Sequence, residues 1–476
     1  MNPKNIEDIY TLSPTQQGIF FHILSNPDSG MYFAHQLCIL HGKFNFFAFD
    51  QAWQKVVARH TTLRTAFVWE GLKKTIQIVH RQTTLSISHY DWSELSPTAQ
   101  EAHLQDYLQA DRKRGFNLSQ PPLMRLAIIR IAANTHQLIW SSHHLISDVW
   151  SDAILLKEVF TFYEAFDQGK NIELKLSRPY RDYITWLKQQ DLTAAEIFWR
   201  RELQNLRTPT PLKIDENYLK LSAQEERYAQ QEIEFSLTTT EALISLAKQE
   251  SLTLNTILMG AWALLLSYYS SNKDIVFGTV LSGRPVTLAG IDAMVGLFVN
   301  TLPARIKISV EDLLLPWLKS LQIQQINLRS YEHTPLAQVQ SWSNIPKGLP
   351  LFESILVVQN SKVDISQLGT QNLKLDNIRS FASTHYPLAI VAIPGANLGL
   401  HLLYDLRRFY GVTVTKVLSH FEEIIKAMVT NTDSQLGNLI RIIDEFEKKE
   451  KSLALEARRQ LNASKLKSIR PKAIGL

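Results

Sequence analysis

Apolar positions along this chain alternate between helical and strand-like spacing in both halves. From Val149 onward the helical period is clear, with Trp150, Ile154, Leu155, Val159, Phe160 and Tyr163 on one side and Gly169-Lys170-Asn171 as the stop. Two apolar runs precede it, Leu123 to Ile131 and Gln137 to His144, and Ala133-Asn134 between them predicts a turn joining neighbouring strands. Near the start, Ser13-Pro14-Thr15-Gln16 has the form of a helix N-terminus: a capping serine, proline at the first helical position, and a glutamine that completes a capping box. Ile19, Phe20 and Ile23 then face inward. Asp50 is expected to cap a second helix that buries Trp53, Val56 and Val57, and Leu63 to Trp69 and Thr75 to Val79 read as strands.

The second half repeats the style. Thr239 to Glu250, Leu254 to Tyr269 and Val414 to Thr430 read as helices. Asp274 to Val280, Val295 to Ile308 and Phe352 to Gln359 read as strands, with Ser282-Gly283-Arg284-Pro285 as a turn. The class is therefore mixed α/β, and a length of 476 residues predicts two lobes rather than one core. The polar, proline-marked stretch near Ser177 to Tyr180 marks the boundary, giving an N-terminal lobe over 1–178, a C-terminal lobe over 179–447 and a basic tail or linker over 448–476.

Charge and cysteine usage narrow the class. The net charge of +5 invites a nucleic-acid reading, but Lys448 to Leu476 carry nine Lys/Arg and two Glu, a net of +7 that leaves −2 for the remainder. The folded body is thus not a basic surface, and no nucleic-acid partner is expected. The single cysteine, Cys38, allows no internal disulfide and suits a reducing, cytoplasmic setting. The start MNPKNIEDIY does not read as a signal peptide. The longest apolar run, Ile257 to Tyr269, falls well short of the roughly 20 residues a membrane span needs and reads as a buried helix.

The chemistry concentrates in Ser142 to Trp150, SHHLISDVW. Neighbouring residues on a strand point to opposite faces, so His143 and His144 do not converge on one pocket, which argues against a metal site. His143 suits a hydrogen-bonded core histidine, and His144, nearer the loop, is the functional choice. Asp148 either caps the following helix or pairs with a buried cation, for which Arg64 in LRTAF is the expected partner.

These residues resemble the condensation domains of nonribosomal peptide synthetases, within the chloramphenicol-acetyltransferase-like superfamily. The family motif HHxxxDG matches at His143, His144 and Asp148. Around it, in order, LSPTQQGIFFH (Leu12 to His22), RHTTLRTAF (Arg59 to Phe67), YRDYITW (Tyr180 to Trp186), VGLFVNTLPAR (Val295 to Arg305), YEHTPLAQVQSWS (Tyr331 to Ser343) and LFESILVVQN (Leu351 to Asn360) are similar to further family segments. The resemblance implies two acetyltransferase-like lobes arranged as a V-shaped pseudodimer around a central tunnel. Donor and acceptor peptidyl carrier proteins would dock at its two mouths, each bringing a substrate on phosphopantetheine, with no tightly bound cofactor. The acceptor amine would attack the donor thioester to form an amide. His144 is then the catalytic residue, His143, Asp148, Arg64 and Val149 shape the site, and Asn300 and Ser282 are weaker candidates.

An α-amine with a pKa of about 8 is already partly neutral near pH 7, and a thioester is an activated acyl donor. Holding the two in reach is worth up to roughly 7–11 kcal/mol. His144 is therefore expected to orient the amine or stabilise the charged intermediate instead of acting as an obligatory base, positioning more than it deprotonates. The helix opening near Val149 offers a favourable field for an oxyanion. One position departs from the motif: Val149 stands where the family has glycine. That departure keeps a second class in view, a non-condensing platform that recruits a tailoring enzyme, for example an amino-acid oxygenase, to a carrier-bound substrate. The stretch Lys465 to Leu476 reads as a connector into an adjacent domain, which suits that class. A CoA-dependent acyltransferase is a third reading, and the DFGWG segment of its plant-type members is absent here.

Overall fold

The computed structural model describes residues 3–26, 30–214, 227–359, 368–370, 372–382 and 384–468. In the first half, in chain order, lie β1 (Ile6–Thr11), α1 (Pro14–Ser25), β2 (Phe33–Gly42), α2 (Phe46–Arg59), β3 (Thr65–Val68), β4 (Ile76–His80), β5 (Ile87–Asp91), α3 (Pro97–Arg114), β6 (Met124–Ala132), β7 (Thr135–His143) and α4 (Val149–Asp167). The second half begins with α5 (Tyr180–Lys188), α6 (Leu192–Glu202), β8 (Tyr228–Glu234), α7 (Leu237–Gln249), α8 (Leu254–Ser270), β9 (Asp274–Leu281) and β10 (Asn300–Lys307). It continues through α9 (Leu314–Arg329), α10 (Leu336–Trp342), β11 (Ser354–Val358), β12 (Leu373–Ala382), β13 (Leu388–Ile393), β14 (Gly399–Asp405), α11 (Gly411–Thr430) and α12 (Leu436–Ser468).

Two large sheets organise two lobes. The first has the strand order β12-β2-β7-β6-β5. One face is covered by α2 and α4, which bury Trp53, Val56, Leu155 and Val159 against Cys38, Leu40 and Trp140. The other face carries Leu37, Ala127, Ile129 and Ile139 against Leu108 of α3. The second sheet runs β10-β9-β11-β13-β14-β8. The apolar helix α8 lies in its main core with α9 and α11, so the run that begins at Ile257 is a buried helix. On its opposite face, Trp199 of α6 and Val339 of α10 pack on Val276, Leu302 and Ile355. A small sheet, β1-β4-β3, sits beside α5, where Tyr10 and Val79 meet Tyr180 and Phe298. Among the described residues no single helix is long and apolar enough to cross a membrane.

Several expectations hold and several need correction. The capping box at Ser13 is formed in both directions, and the turn at Ala133-Asn134 joins β6 to β7. The second helix starts at Phe46 instead of after Asp50, because Asn45 accepts from Ala48 N at 3.2 Å and the apolar Phe46-Phe47-Ala48-Phe49 run is already helical. Asp50 lies inside that helix and accepts from Gln54 at 3.0 Å. Leu63 and Arg64 belong to a 3-10 turn, Thr61–Arg64, and the strand begins at Thr65. The stretch from Val295 becomes a strand only at Asn300.

The lobes also exchange structure. Leu373–Ala382, inside the segment assigned by sequence to the C-terminal lobe, pairs antiparallel with β2, from Leu373 opposite Gly42 to Ala382 opposite Ala34. The first lobe's sheet is thus completed by the second half of the chain. Helix α12 runs on to Ser468, so much of the basic segment continues a helix. Of the connector-like stretch, Lys465 to Ser468 end that helix and 469–476 lie outside the described residues.

Candidate active site

The loop after β7 is held by backbone bonds before any side chain acts. His144 N–H donates to the Tyr32 carbonyl at 2.9 Å, and Ile146 N–H donates to the His143 carbonyl at 3.1 Å. Gln16, the residue that closes the capping box of α1, donates its side-chain amide to the Leu145 carbonyl at 2.9 Å. The two histidines diverge, as strand alternation requires. His143 is 5 % exposed, its Nδ1 accepts from Leu145 N at 3.1 Å, and burial pushes its pKa down to about 3. It is a neutral core acceptor.

His144 is only partly buried. Its Nδ1 lies 3.2 Å from the Ser147 carbonyl oxygen, which only accepts. Nδ1 therefore carries the proton, and Nε2 is left with a free lone pair. Burial lowers the His144 pKa, opposed by the Ser147 carbonyl and the charge of Asp148. The imidazole is thus neutral near pH 7, in one tautomer, with its second nitrogen ready to accept a proton or a hydrogen bond.

Asp148 is the joint between the lobes. It caps α4, Oδ1 accepting from Ser151 N at 2.8 Å, while Oδ2 accepts from Phe298 N at 3.0 Å. It is 1 % exposed. Its cation is not Arg64. Arg64 leaves the 3-10 turn toward β1 and the end of β4, where Nη1 donates to Glu7 at 2.6 Å and to the His80 carbonyl. The expected Arg64–Asp148 pair is replaced by Arg284, whose Nη2 lies 3.3 Å from Asp148 Oδ1 and 2.9 Å from Ser151 Oγ. Arg284 also donates to the carbonyls of Ile291 and Met294 at 2.7 and 2.9 Å, and its guanidinium lies over the Phe298 ring at 4.0 Å. Ser151 adds a clasp, its hydroxyl donating to the Gly296 carbonyl at 2.7 Å and accepting from Gly296 N at 3.1 Å.

Two glycines make this clasp possible. A Cβ on Gly283 (φ +61°) would lie 1.8 Å from the Phe298 carbonyl, and one on Gly296 would lie 2.2 Å from the Tyr180 ring. Reading the sequence picked out the turn Ser282–Pro285 but not the arginine in it. Its neighbours Ser282, Gly283 and Pro285 read as a turn, and its anion Asp148 lies 136 positions away, so no local signal marked it.

The remaining candidates fall elsewhere. Val149 is the first residue of α4, and its backbone is not left-handed. Asn300 is buried, and its amide donates to the carbonyls of Glu332 and Thr334 at 2.8 Å each, while Thr15 of α1 donates to the Val299 carbonyl at 2.9 Å. Asn300 therefore ties β10 to the 332–334 segment, and Thr15 Oγ1 of α1 also reaches its Oδ1 at 3.4 Å. Ser282 is exposed at the end of β9. Among the described residues no three His, Cys, Asp or Glu side chains converge as metal ligands.

A two-lobed α/β protein with a histidine loop clamped between its lobes is the class that this fold and site define. The Condensation domain family matches residues 6–450, and the chain belongs to that family. It is 40 % identical over 447 residues to a linear gramicidin synthase of Brevibacillus parabrevis, covering 94 % of this chain and 9 % of that protein. It is 30 % identical over 448 residues to surfactin synthase subunit 3 of Bacillus subtilis (strain 168), covering 93 % of this chain and 34 % of that protein. The chain therefore spans a minor part of the curated relatives it matches. In structure it is similar to the starter condensation domain of rhizomide synthetase RzmA, with a TM-score of 0.78, 18 % identity, and 90 % and 96 % of the two chains covered. It is also similar to the first condensation domain of the calcium-dependent antibiotic synthetase, with a TM-score of 0.77, 15 % identity, and 91 % and 99 % covered.

Proposed function

We propose that this chain forms an amide bond between a carrier-bound acyl or aminoacyl thioester and the amine of a carrier-bound aminoacyl acceptor. The observation that carries the reading is the state of His144: neutral, fixed with the proton on Nδ1, and offering Nε2 from a loop clamped at the lobe junction. The amine nitrogen attacks the thioester carbonyl carbon, the C–N bond forms, and the C–S bond breaks. The proton lost by nitrogen passes by way of Nε2 and ends on the released pantetheine sulfur. The N-terminus of α4 adds a favourable field for the oxyanion.

Val149 is compatible with this reading. As the first helical residue it needs no glycine backbone, so the departure from the motif leaves the loop's path intact. The partners are donor and acceptor carrier proteins with phosphopantetheine arms, working across a tunnel between the lobes. The kind of synthetase the chain resembles and its free, buried Cys38 support a cytoplasmic setting. The test is to mix the protein with donor- and acceptor-loaded carrier proteins and look for the dipeptidyl product by intact mass. Product from the wild type and none from His144→Ala supports the reading. No product from the wild type, with product recovered in Val149→Gly, overturns the view that Val149 is tolerated and returns the platform reading.

A further inference from the structure

Three strands of the first lobe's sheet end together beside His144. Phe33 of β2 is opposite His143 of β7, and Ala34 of β2 is opposite Ala382 of β12. Residues just past those ends, Tyr32, His144 and His385, meet at one end of the sheet although they lie far apart in sequence. Tyr32 gives His144 its backbone acceptor, the His144 N–H donating to the Tyr32 carbonyl at 2.9 Å. The backbone of Tyr32 is left-handed, with φ +63°. A bulky residue rarely adopts that region, and holds it only where its surroundings over-determine it.

The side chain of Tyr32 supplies that constraint. The residue is 7 % exposed, and its hydroxyl is hydrogen-bonded to His385 Nδ1. His385 is fixed in turn. Its ring stacks on His22, in the last turn of α1, with centroids 3.7 Å apart and planes 18° apart, and the Tyr386 ring lies 3.8 Å away. His385 belongs to the segment that leaves β12 in the first sheet and enters β13 in the second. Burial raises the Tyr32 phenol above its ordinary value and lowers the His385 imidazole to about 3, with His22 and Arg227 acting the same way on the imidazole. Both groups are therefore neutral near pH 7, and the bond does not depend on a charge.

We propose that Tyr32 is a positioning residue for His144: its hydroxyl, anchored on His385, holds the left-handed backbone that presents the Tyr32 carbonyl to the His144 N–H. Without the anchor, Tyr32 relaxes toward an ordinary φ, its carbonyl turns away, and the first bond of the histidine loop is lost. The segment crossing between the two sheets thus sets the placement of the imidazole. The effect on turnover rests on the amide-forming reading, whereas the effect on the His144 backbone does not.

The test uses the full chain with nitrogen-labelled histidines, with the His144 amide assigned by difference from His144→Ala. Hydrogen exchange at that amide is measured beside dipeptide formation. Tyr32→Phe, which keeps the ring and loses the hydroxyl, is expected to speed the exchange about tenfold and to lower kcat about tenfold, with the acceptor KM within about twofold. His385→Leu is expected to do the same, and the double variant to be no worse than either single one, as a shared bond requires. His385→Asn puts a polar atom near the place of Nδ1 but removes the ring that stacks on His22. It is expected to keep both readouts within about threefold of wild type, which separates the hydrogen bond from packing. If the leucine variant does not fold, Tyr32→Phe and His385→Asn carry the comparison. Unchanged exchange at the His144 amide in Tyr32→Phe, or a loss in His385→Asn as large as that in Tyr32→Phe, overturns the proposal. A wild type that makes no dipeptide overturns the functional reading alone, and the exchange rates still decide the role of Tyr32.

Discussion

Replacing Arg284 with methionine removes the guanidinium that holds the two lobes to one loop. The side chain is 2 % exposed and donates to Ile291, Met294, Ser151 and Asp148. Removing one partner of a buried pair costs about 3–5 kcal/mol, because the other charge stays buried. Asp148 keeps two strong donors, Ser151 N and Phe298 N, so the lower end, about 3 kcal/mol, is expected. A double-mutant cycle with Asp148→Asn isolates the pair. Its 3.3 Å contact in a dry site predicts a coupling of about 1–2 kcal/mol. The same cycle with Arg64→Met is expected to be additive within about 0.5 kcal/mol, since Arg64 bonds Glu7 and the His80 carbonyl instead. Urea unfolding followed by tryptophan fluorescence reads both, and Trp150 beside Arg284 is a local reporter. Strong coupling of Asp148 to Arg64, with none to Arg284, would refute the assignment of partners.

Three further outcomes follow from the same geometry. Gly296→Ala puts a methyl 2.2 Å from the Tyr180 ring, so a loss of about 1–3 kcal/mol and slower amide formation are expected from melting and rate measurements. Val149→Gly is expected to leave the rate within about fivefold of wild type and to lower stability by about 0.5–1 kcal/mol, since the position is ordinary helix. Asp152, buried in the first turn of α4, holds its proton in the folded state up to about pH 7, whereas the unfolded chain releases it near its ordinary value of 3.8. Its penalty is therefore absent below that value, grows as the pH rises through that window, and is full above it. A shift of about three units is worth up to about 4 kcal/mol, so Asp152→Asn is expected to gain stability relative to wild type between about pH 5 and 8 by denaturant titration. A flat difference across that range would count against a buried, titrating acid.

What the sequence made legible was local. The Ser13 cap, the β6–β7 hairpin and the start of α4 each rest on residues a few positions apart, where period and turn chemistry decide the outcome. The divergence of His143 and His144 followed from strand alternation alone. Arg284 escaped because its anion lies 136 positions away and Arg64 offered a nearer cation in an apolar setting. Strand β12 escaped for a related reason: half of LKLDNIRSFA is polar, as suits an edge strand, and its partner β2 is more than 300 residues earlier. Asp152 was hidden within a helical pattern, where an acid in the first turn reads as ordinary helix electrostatics.

The central claim is that His144, held neutral with Nε2 free, serves amide formation at the lobe junction. Single-turnover transfer from a donor-loaded to an acceptor-loaded carrier protein, quenched and read by intact mass, tests it directly. A positioned acid–base group contributes about 10²–10⁴ in rate, so His144→Ala is predicted to slow transfer by at least about a hundredfold while Tyr32, Ser147 and Asp148 keep the loop in place. Transfer by the correctly folded His144→Ala variant at the wild-type rate would contradict the account.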